Sequence, residues 1–281
     1  MKILLAACNA KYIHSNLAVY DLKAYSSDYD KEVFLREYTI NQPKDEILKD
    51  IYGSGADVVC FSCYIWNIGI VEALVRDLAA VLPQTDIWMG GPEVSYDVSE
   101  RLRSLPIRGV MAGAGENSFR RLAKAYAEGR QDELPACLAE EPVPLSQIPF
   151  WYWDLTEFEN RIIYYESSRG CPFSCSYCLS SIDRSLSFRD PEQVKEELTF
   201  FLEKKVPQVK FIDRTFNCKK SHALAIWRFL AEHDNGITNF HFEISADLLD
   251  DEEIGLLNSL RPGLVQLEIG VQSTDGQVLT A

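Results

Sequence analysis

Three cysteines, Cys171, Cys175 and Cys178, fall within eight residues in the stretch S-R-G-C-P-F-S-C-S-Y-C-L at 168–179. Such spacing holds a metal, forms disulfides or arises by accident. A structural zinc site takes four tetrahedral ligands, usually as two paired spacings. No second Cys or His pair follows here: Cys218 stands alone, and His14, His222, His233 and His241 are scattered. Three thiolates on one short loop suit a [4Fe–4S] cluster better. Each holds one iron, and the fourth iron keeps an open position where chemistry can occur.

Other features bound the setting. The 281 residues carry 28 basic and 42 acidic side chains, a formal charge of −14. Nucleic-acid binders usually show the opposite sign, because phosphate contacts need Lys and Arg. The pairs Lys204-Lys205 and Lys219-Lys220 read as solvated helix ends. The N-terminal M-K-I-L-L-A-A-C is too short an apolar run for a signal segment and reads as a first strand. No run approaches the length of a membrane span. A cytoplasmic location follows as an expectation. In that reducing compartment eight cysteines point to metal or chemistry rather than to disulfides.

The elements that must position the cysteines alternate. Over the first 130 residues, strand-like runs (3–7, 32–38, 57–63, 86–89, 109–112) interleave with helical patterns (16–26, 44–52, 68–82, 98–104, 116–128). This order predicts an α/β fold, a doubly wound parallel sheet that binds ligands at the carboxyl ends of its strands. Residues 131–160 contain Pro135, Pro142, Pro144 and Pro149 and the aromatic run Phe150–Trp153, and read as a linker whose rings pack between domains. A second alternation runs from 161 to 281. Strands are expected at 162–166, 209–213, 240–245 and 264–271 and helices at 191–204, 221–233 and 251–260, with the cysteine loop directly after the first of these strands.

Cys171-x-x-x-Cys175-x-Tyr177-Cys178 on that loop, preceded by Arg169-Gly170 and followed by Pro172, resembles the radical S-adenosylmethionine (SAM) superfamily. The resemblance implies a partial radical SAM (β/α) barrel over 161–281, with Cys171, Cys175 and Cys178 as cluster ligands and Tyr177 beside the cofactor. The open iron would chelate S-adenosylmethionine, and one electron would release a 5′-deoxyadenosyl radical; the protein supplies placement and exclusion of water. Later strand ends carry further candidates. Asp213, in Phe211-Ile212-Asp213-Arg214-Thr215-Phe216-Asn217, stands where many members have a Gly-Gly-Glu that contacts the methionine amino group. Glu243 resembles a third-strand acid, and Gln272 and Ser273 a fourth-strand motif, that bind S-adenosylmethionine in one branch. A lone strand-end acid is more often an ordinary ion pair; acids at successive strand ends of one βα series favour a site.

In the first 130 residues, Gly90-Gly91-Pro92-Glu93 and Gly113-Ala114-Gly115-Glu116 follow expected strands, and glycines there let a backbone approach a large ligand closely. Ahead of a radical SAM core, they resemble the Rossmann-like cobalamin-binding domain fused to many such proteins, with Gly90, Gly91, Gly113, Gly115, Glu116 and Ser62 as candidate contacts. Ala114 departs from the Glu often found there. His14 occupies the place of a lower axial ligand, but Tyr12 and Leu17 replace the Asp and Gly of the usual D-x-H-x-x-G, so a loop histidine is the preferred reading. Cys60-x-x-Cys63 is a poor chelate on an extended strand, because residues three apart face opposite ways.

The resemblance covers nearly the whole chain and implies cobalamin, S-adenosylmethionine and a [4Fe–4S] cluster facing one another across a domain interface in an anaerobic enzyme. Methyl transfer to an unactivated carbon of a small molecule or peptide is the commonest chemistry implied, with an electron donor such as flavodoxin or ferredoxin. Cyclisation or rearrangement, methylthiotransfer with a second cluster on Cys8, Cys60 and Cys63, and a corrinoid- or cluster-binding sensor are the alternatives. A radical core usually has six βα units, so the sequence is expected to be a fragment.

Overall fold

The computed structural model describes residues 1–176, 178–181, 185–271 and 273–276, which divide into two compact units. The first comprises 1–143 and 147–161, the second 144–146 and 162–281.

The first unit is built on a six-stranded parallel sheet in the order β2-β1-β3-β4-β5-β6. Its strands are β1 (Ile3–Asn9), β2 (Val33–Thr39), β3 (Val58–Ser62), β4 (Asp86–Gly90), β5 (Gly109–Met111) and the short β6 (Cys137–Leu138). Both faces are covered, which is why β1, β3 and β4 read as continuous apolar runs. Leu4, Ala6, Val59, Phe61 and Met89 pack on one face with α2 (Lys44–Ser54) and α3 (Ile68–Val81). Ile3, Leu5, Val58, Cys60 and Trp88 pack on the other with α1 (Leu17–Tyr25) and α5 (Gly115–Ala127). The helical spacing of Val71, Leu74, Val75 and Leu78 gives α3 its buried face, as Phe119, Leu122 and Tyr126 do for α5. The short α4 (Val98–Ser104) connects β4 to β5. This is the doubly wound sheet the sequence predicts.

The segment read as a linker belongs largely to this unit. It contributes β6 to the sheet, and 147–161 fold onto this unit. Within that segment Trp151 stacks on Tyr20 of α1 with centroids 4.3 Å apart and donates from Nε1 to Asp21 at 2.7 Å.

The second unit has a four-stranded parallel sheet in the order β12-β11-β10-β7. Its strands are β7 (Ile163–Tyr165), β10 (Gln208–Phe211), β11 (Asn239–Ile244) and β12 (Val265–Ile269), joined through α6 (Pro191–Glu203), α7 (Lys220–Glu232) and α8 (Asp251–Ser259). Strands that follow one another in sequence lie side by side, the winding of a βα barrel. Val209, Phe211, Phe240 and Phe242 are fully buried, and Lys210, His241 and Glu243 alternate with them on the other face. Helix starts follow their sequence signals: Asp190 caps α6 ahead of Pro191, and Asp250 with Glu253 forms a capping box on α8. A small antiparallel hairpin, β8 (Ser168–Arg169) with β9 (Ser187–Phe188), which sequence reading did not anticipate, frames the cysteine loop.

Candidate functional site

Cys171, Cys175 and Cys178 lie on the loop after β7 and β8, inside the hairpin closed by β9. Gly170 makes the entry, with φ +94°; a Cβ there would sit 1.7 Å from the Ser185 carbonyl oxygen, so only glycine fits. The Cys178 amide donates to the Cys175 carbonyl at 3.1 Å. Cys171 is buried, Cys178 half-buried and Cys175 exposed. Among the described residues no three Cys, His, Asp or Glu side chains are gathered as a metal site requires. The donor set nonetheless fits an iron–sulfur cluster: three soft thiol donors on one tight loop. Tyr177 lies outside the described residues.

The loop after β10 supports this one. Asp213 is fully buried, and both its oxygens are taken. Oδ1 accepts from the Ser167 amide at 2.8 Å, and Oδ2 from the hydroxyls of Ser167 at 2.5 Å and Ser168 at 3.0 Å. Expected from the sequence to face a bound amino group, Asp213 here clamps the strand end that leads into the cysteine loop. Burial pushes its carboxyl up to about 7 against the pull of those hydrogen bonds. The Ser167 hydroxyl also lies 2.9 Å from Nε2 of buried His222, which burial lowers to about 4. Further along, Asn217 exchanges two hydrogen bonds with the Ser245 backbone at the end of β11, both 2.9 Å.

Glu243 sits near the end of β11, 3.5 Å from Lys210 Nζ, which also reaches Glu268 of β12 at 3.0 Å. His241 Nε2 lies 3.1 Å from the same Glu268. Glu243 is therefore part of a charged row on the sheet face opposite the helices. Ser273 accepts from the Asp275 amide at 3.0 Å. Gln272 lies outside the described residues.

In the first unit the remaining candidates gather on the loops after β1, β3, β4 and β5, at the carboxyl edge of the sheet. Asn16 Nδ2 donates to Ser62 Oγ at 3.3 Å, joining the loop after β1 to the end of β3. Fully buried Asn67, not singled out in the sequence, donates to the carbonyls of Cys8 and Ser62 at 3.0 and 2.9 Å. Gly91, with φ +110°, packs so closely on the loop after β3 that a Cβ would meet the Cys63 carbonyl at 2.5 Å. The Ser95 hydroxyl donates to the Gly91 carbonyl and accepts from the Gly113 amide, linking the loops after β4 and β5. Gly90 ends β4, and its carbonyl accepts from the Cys63 amide at 2.7 Å. Gly115 and buried Glu116 open α5, where a Cβ on Gly115 would touch Leu22 at 3.0 Å.

His14 is half-buried, and its loop is fixed through the backbone. Arg161 Nη2 and Asn9 Nδ2 donate to the His14 carbonyl at 3.3 and 2.9 Å, and Arg161 Nε to that of Tyr12 at 3.2 Å. Arg161 is held in turn by Glu37, which accepts from Asn9, the Asn16 amide, Tyr20 and Arg161 at 2.6–2.8 Å. Large apolar side chains stand exposed on the same rim: Tyr12 and Ile13 after β1, Ile65 and Trp66 after β3, and Tyr96 after β4, with Trp66 stacked on Tyr64 at 4.4 Å. Exposed apolar side chains grouped at strand ends mark a ligand surface. The apolar Tyr64-Ile65-Trp66 run after a strand was the sequence signal for it.

Cys60 and Cys63 belong to cores on opposite faces of the sheet, and Cys8 lies with Cys63. Burial pushes all three thiols up, Cys8 to about 12. This disposition does not suit a second cluster on them.

Comparisons with known proteins agree with this division. Residues 3–123 match the B12 binding domain family and residues 165–281 the radical SAM superfamily. An uncharacterized methyltransferase, PH0819, of Pyrococcus horikoshii is 32% identical over 163 residues, 49% of this chain and 35% of the relative. The hopanoid C-3 methylase of Methylococcus capsulatus is 26% identical over 261 residues, covering 83% and 49%. The chain thus spans about half the length, or less, of these curated relatives. Among solved structures, the radical S-adenosylmethionine methyltransferase TsrM of Kitasatospora setae, with cobalamin and a [4Fe–4S] cluster bound, superposes with a TM-score of 0.72 at 15% identity over 99% of this chain and 60% of that one. At that identity the likeness is one of fold. With both family matches falling on the two units built above, the chain joins a B12-binding domain to a radical SAM domain.

Proposed function

We propose that this chain carries the cofactor-binding machinery of a cobalamin-dependent radical SAM methyltransferase that methylates an unactivated carbon of a small molecule or peptide. The observation that carries the proposal is the three-thiol loop at the head of a βα series, preceded on the same chain by a B12-type sheet with an apolar rim at its strand ends. Methyltransferases among the similar proteins support methyl transfer as the chemistry.

Cys171, Cys175 and Cys178 would hold the cluster. Glu243, Ser273, Gln272 and Tyr177 stand as the candidates for contacts to S-adenosylmethionine. Ser62, the Gly90-Gly91 and Gly113–Glu116 turns and the exposed rim around Trp66 would hold the corrinoid. When bound, these groups supply one-electron cleavage of S-adenosylmethionine and a transferable methyl group. The protein's own residues bind and orient them. Asp213 and His222 fix the approach to the cysteine loop through Ser167, and Glu37 and Arg161 fix the loop after β1. Among the described residues no helix is long and apolar enough to cross a membrane. We place the protein in the cytoplasm, under oxygen exclusion, with a flavodoxin or ferredoxin as electron donor.

The test is anaerobic incubation of the reconstituted, reduced protein with S-adenosylmethionine. Formation of 5′-deoxyadenosine, abolished in Cys175→Ala, is the expected result. Tight binding of S-adenosylmethionine without cleavage would overturn the enzymatic reading in favour of a sensor.

A further inference from the structure

The segment Asp213–Asn217 is anchored at three of its residues. Asp213 is locked to Ser167 and Ser168, Phe216 is fully buried against Phe211 and Phe242, and Asn217 is bonded twice to Ser245. Between them Thr215 is 8% exposed, and its Oγ1 lies 3.7 Å from Cys171 Sγ. That distance is within reach of a hydrogen bond to sulfur. A free thiol and a hydroxyl can each donate; a metal-bound thiolate can only accept, so in the loaded protein the Thr215 hydroxyl is the donor.

We propose that Thr215 is a positioning residue for the cluster: its hydroxyl donates to the Cys171 sulfur and makes the cluster easier to reduce. The inference rests on the reading of the cysteine loop as a cluster site. Reduction adds negative charge to the cluster, and a hydrogen bond to a ligand sulfur stabilises the more negative state. The rigid Asp213–Asn217 frame holds the hydroxyl in place, so no reorganisation is needed when the electron arrives.

The experiment is a redox titration, monitored by electron paramagnetic resonance, of the full chain reconstituted anaerobically with iron and sulfide. Thr215→Val removes the hydroxyl at nearly constant volume. Its midpoint is expected to move to more negative potential, with the one-electron reduction equilibrium weakened by about tenfold, or ~59 mV. Thr215→Ser, which keeps the hydroxyl, should stay at the wild-type midpoint. Thr215→Ala, free of any crowding by the valine methyl, should follow the valine variant. An unshifted midpoint in both hydroxyl-free variants at wild-type iron content overturns the proposal. So does a serine variant that shifts as far as valine. Failure of the wild-type chain to assemble a cluster would instead overturn the reading of the three-cysteine loop, a result visible before any variant is compared.

Discussion

Removing Arg161 tests whether the loop after β1 is built as described. The Arg161 side chain is 9% exposed and that of Glu37 6%, joined at 2.6 Å. Arg161→Met keeps much of the stem but leaves a buried carboxylate with three neutral donors, Asn9, the Asn16 amide and Tyr20. It also leaves the Tyr12 and His14 carbonyls without the bonds Arg161 makes to them. Breaking a buried pair from one side costs ~3–5 kcal/mol, against a total of ~5–15 kcal/mol for a domain. For a unit of this size, each kcal/mol moves the melting temperature by ~2–4 °C, so a fall of about 6–20 °C is expected. Trp66, Trp88, Trp151 and Trp153 lie in this unit and only Trp227 in the other, so tryptophan fluorescence follows mainly the relevant transition. Arg161→Lys keeps the charge but cannot span all three acceptors, and should fall between the two. The double variant Arg161→Met with Glu37→Gln removes both charges and should recover part of the loss. A single-variant loss below ~1 kcal/mol, the scale of a surface pair, would show that the Arg161–Glu37 pair does not hold this loop.

Other outcomes follow from the same geometry. Gly91→Ala places a Cβ 2.5 Å from the Cys63 carbonyl at φ +110°. It should cost ~1–3 kcal/mol in urea unfolding and weaken hydroxocobalamin binding measured by absorbance. Asp213 and His222 should oppose each other in pH dependence. The carboxyl, raised from 3.8 to about 7, favours the folded state most at low pH and loses that contribution as pH rises to about 7. The imidazole, lowered from 6.5 to about 4, contributes stability above 6.5 that is lost as pH falls toward 4. Between pH 4 and 6.5, Asp213→Asn should therefore make stability rise more steeply with pH than wild type, and His222→Gln should make it fall relative to wild type, in urea titrations of the apo chain. Trp66→Ala is expected to weaken corrinoid binding by about tenfold, as loss of ~1–1.5 kcal/mol of ring contact implies, with unfolding unchanged because the side chain is 48% exposed.

Much of this was legible because burial and periodicity leave a local signature. The apolar runs Ile3–Ala7 and Val58–Phe61 can only be strands covered on both faces, and the opposite orientation of Cys60 and Cys63 follows from an extended backbone. The cysteine loop was legible for the same reason: its donors are neighbours in sequence. Asp213 was not. Its position at a strand end is visible, but its partners Ser167, Ser168 and His222 lie on other elements, and nothing local tells whether a carboxylate turns outward to a ligand or inward to a hydroxyl. Glu37 is equally silent, an acid on a strand whose meaning depends on Arg161, more than 120 residues away. The aromatic run at 150–153 advertised packing but not its target, since stacking on Tyr20 depends on where the chain after β6 turns.

On the proposed function, one chain binds both an iron–sulfur cluster and a corrinoid, each on its own unit. Anaerobic reconstitution with iron, sulfide and hydroxocobalamin, followed by metal and corrin quantitation after desalting, tests it most directly. About four irons and one cobalt per chain are expected, with the iron lost and the cobalt kept in the triple variant Cys171→Ala, Cys175→Ala and Cys178→Ala. Iron without cobalt, or iron that survives loss of the three cysteines, would contradict it.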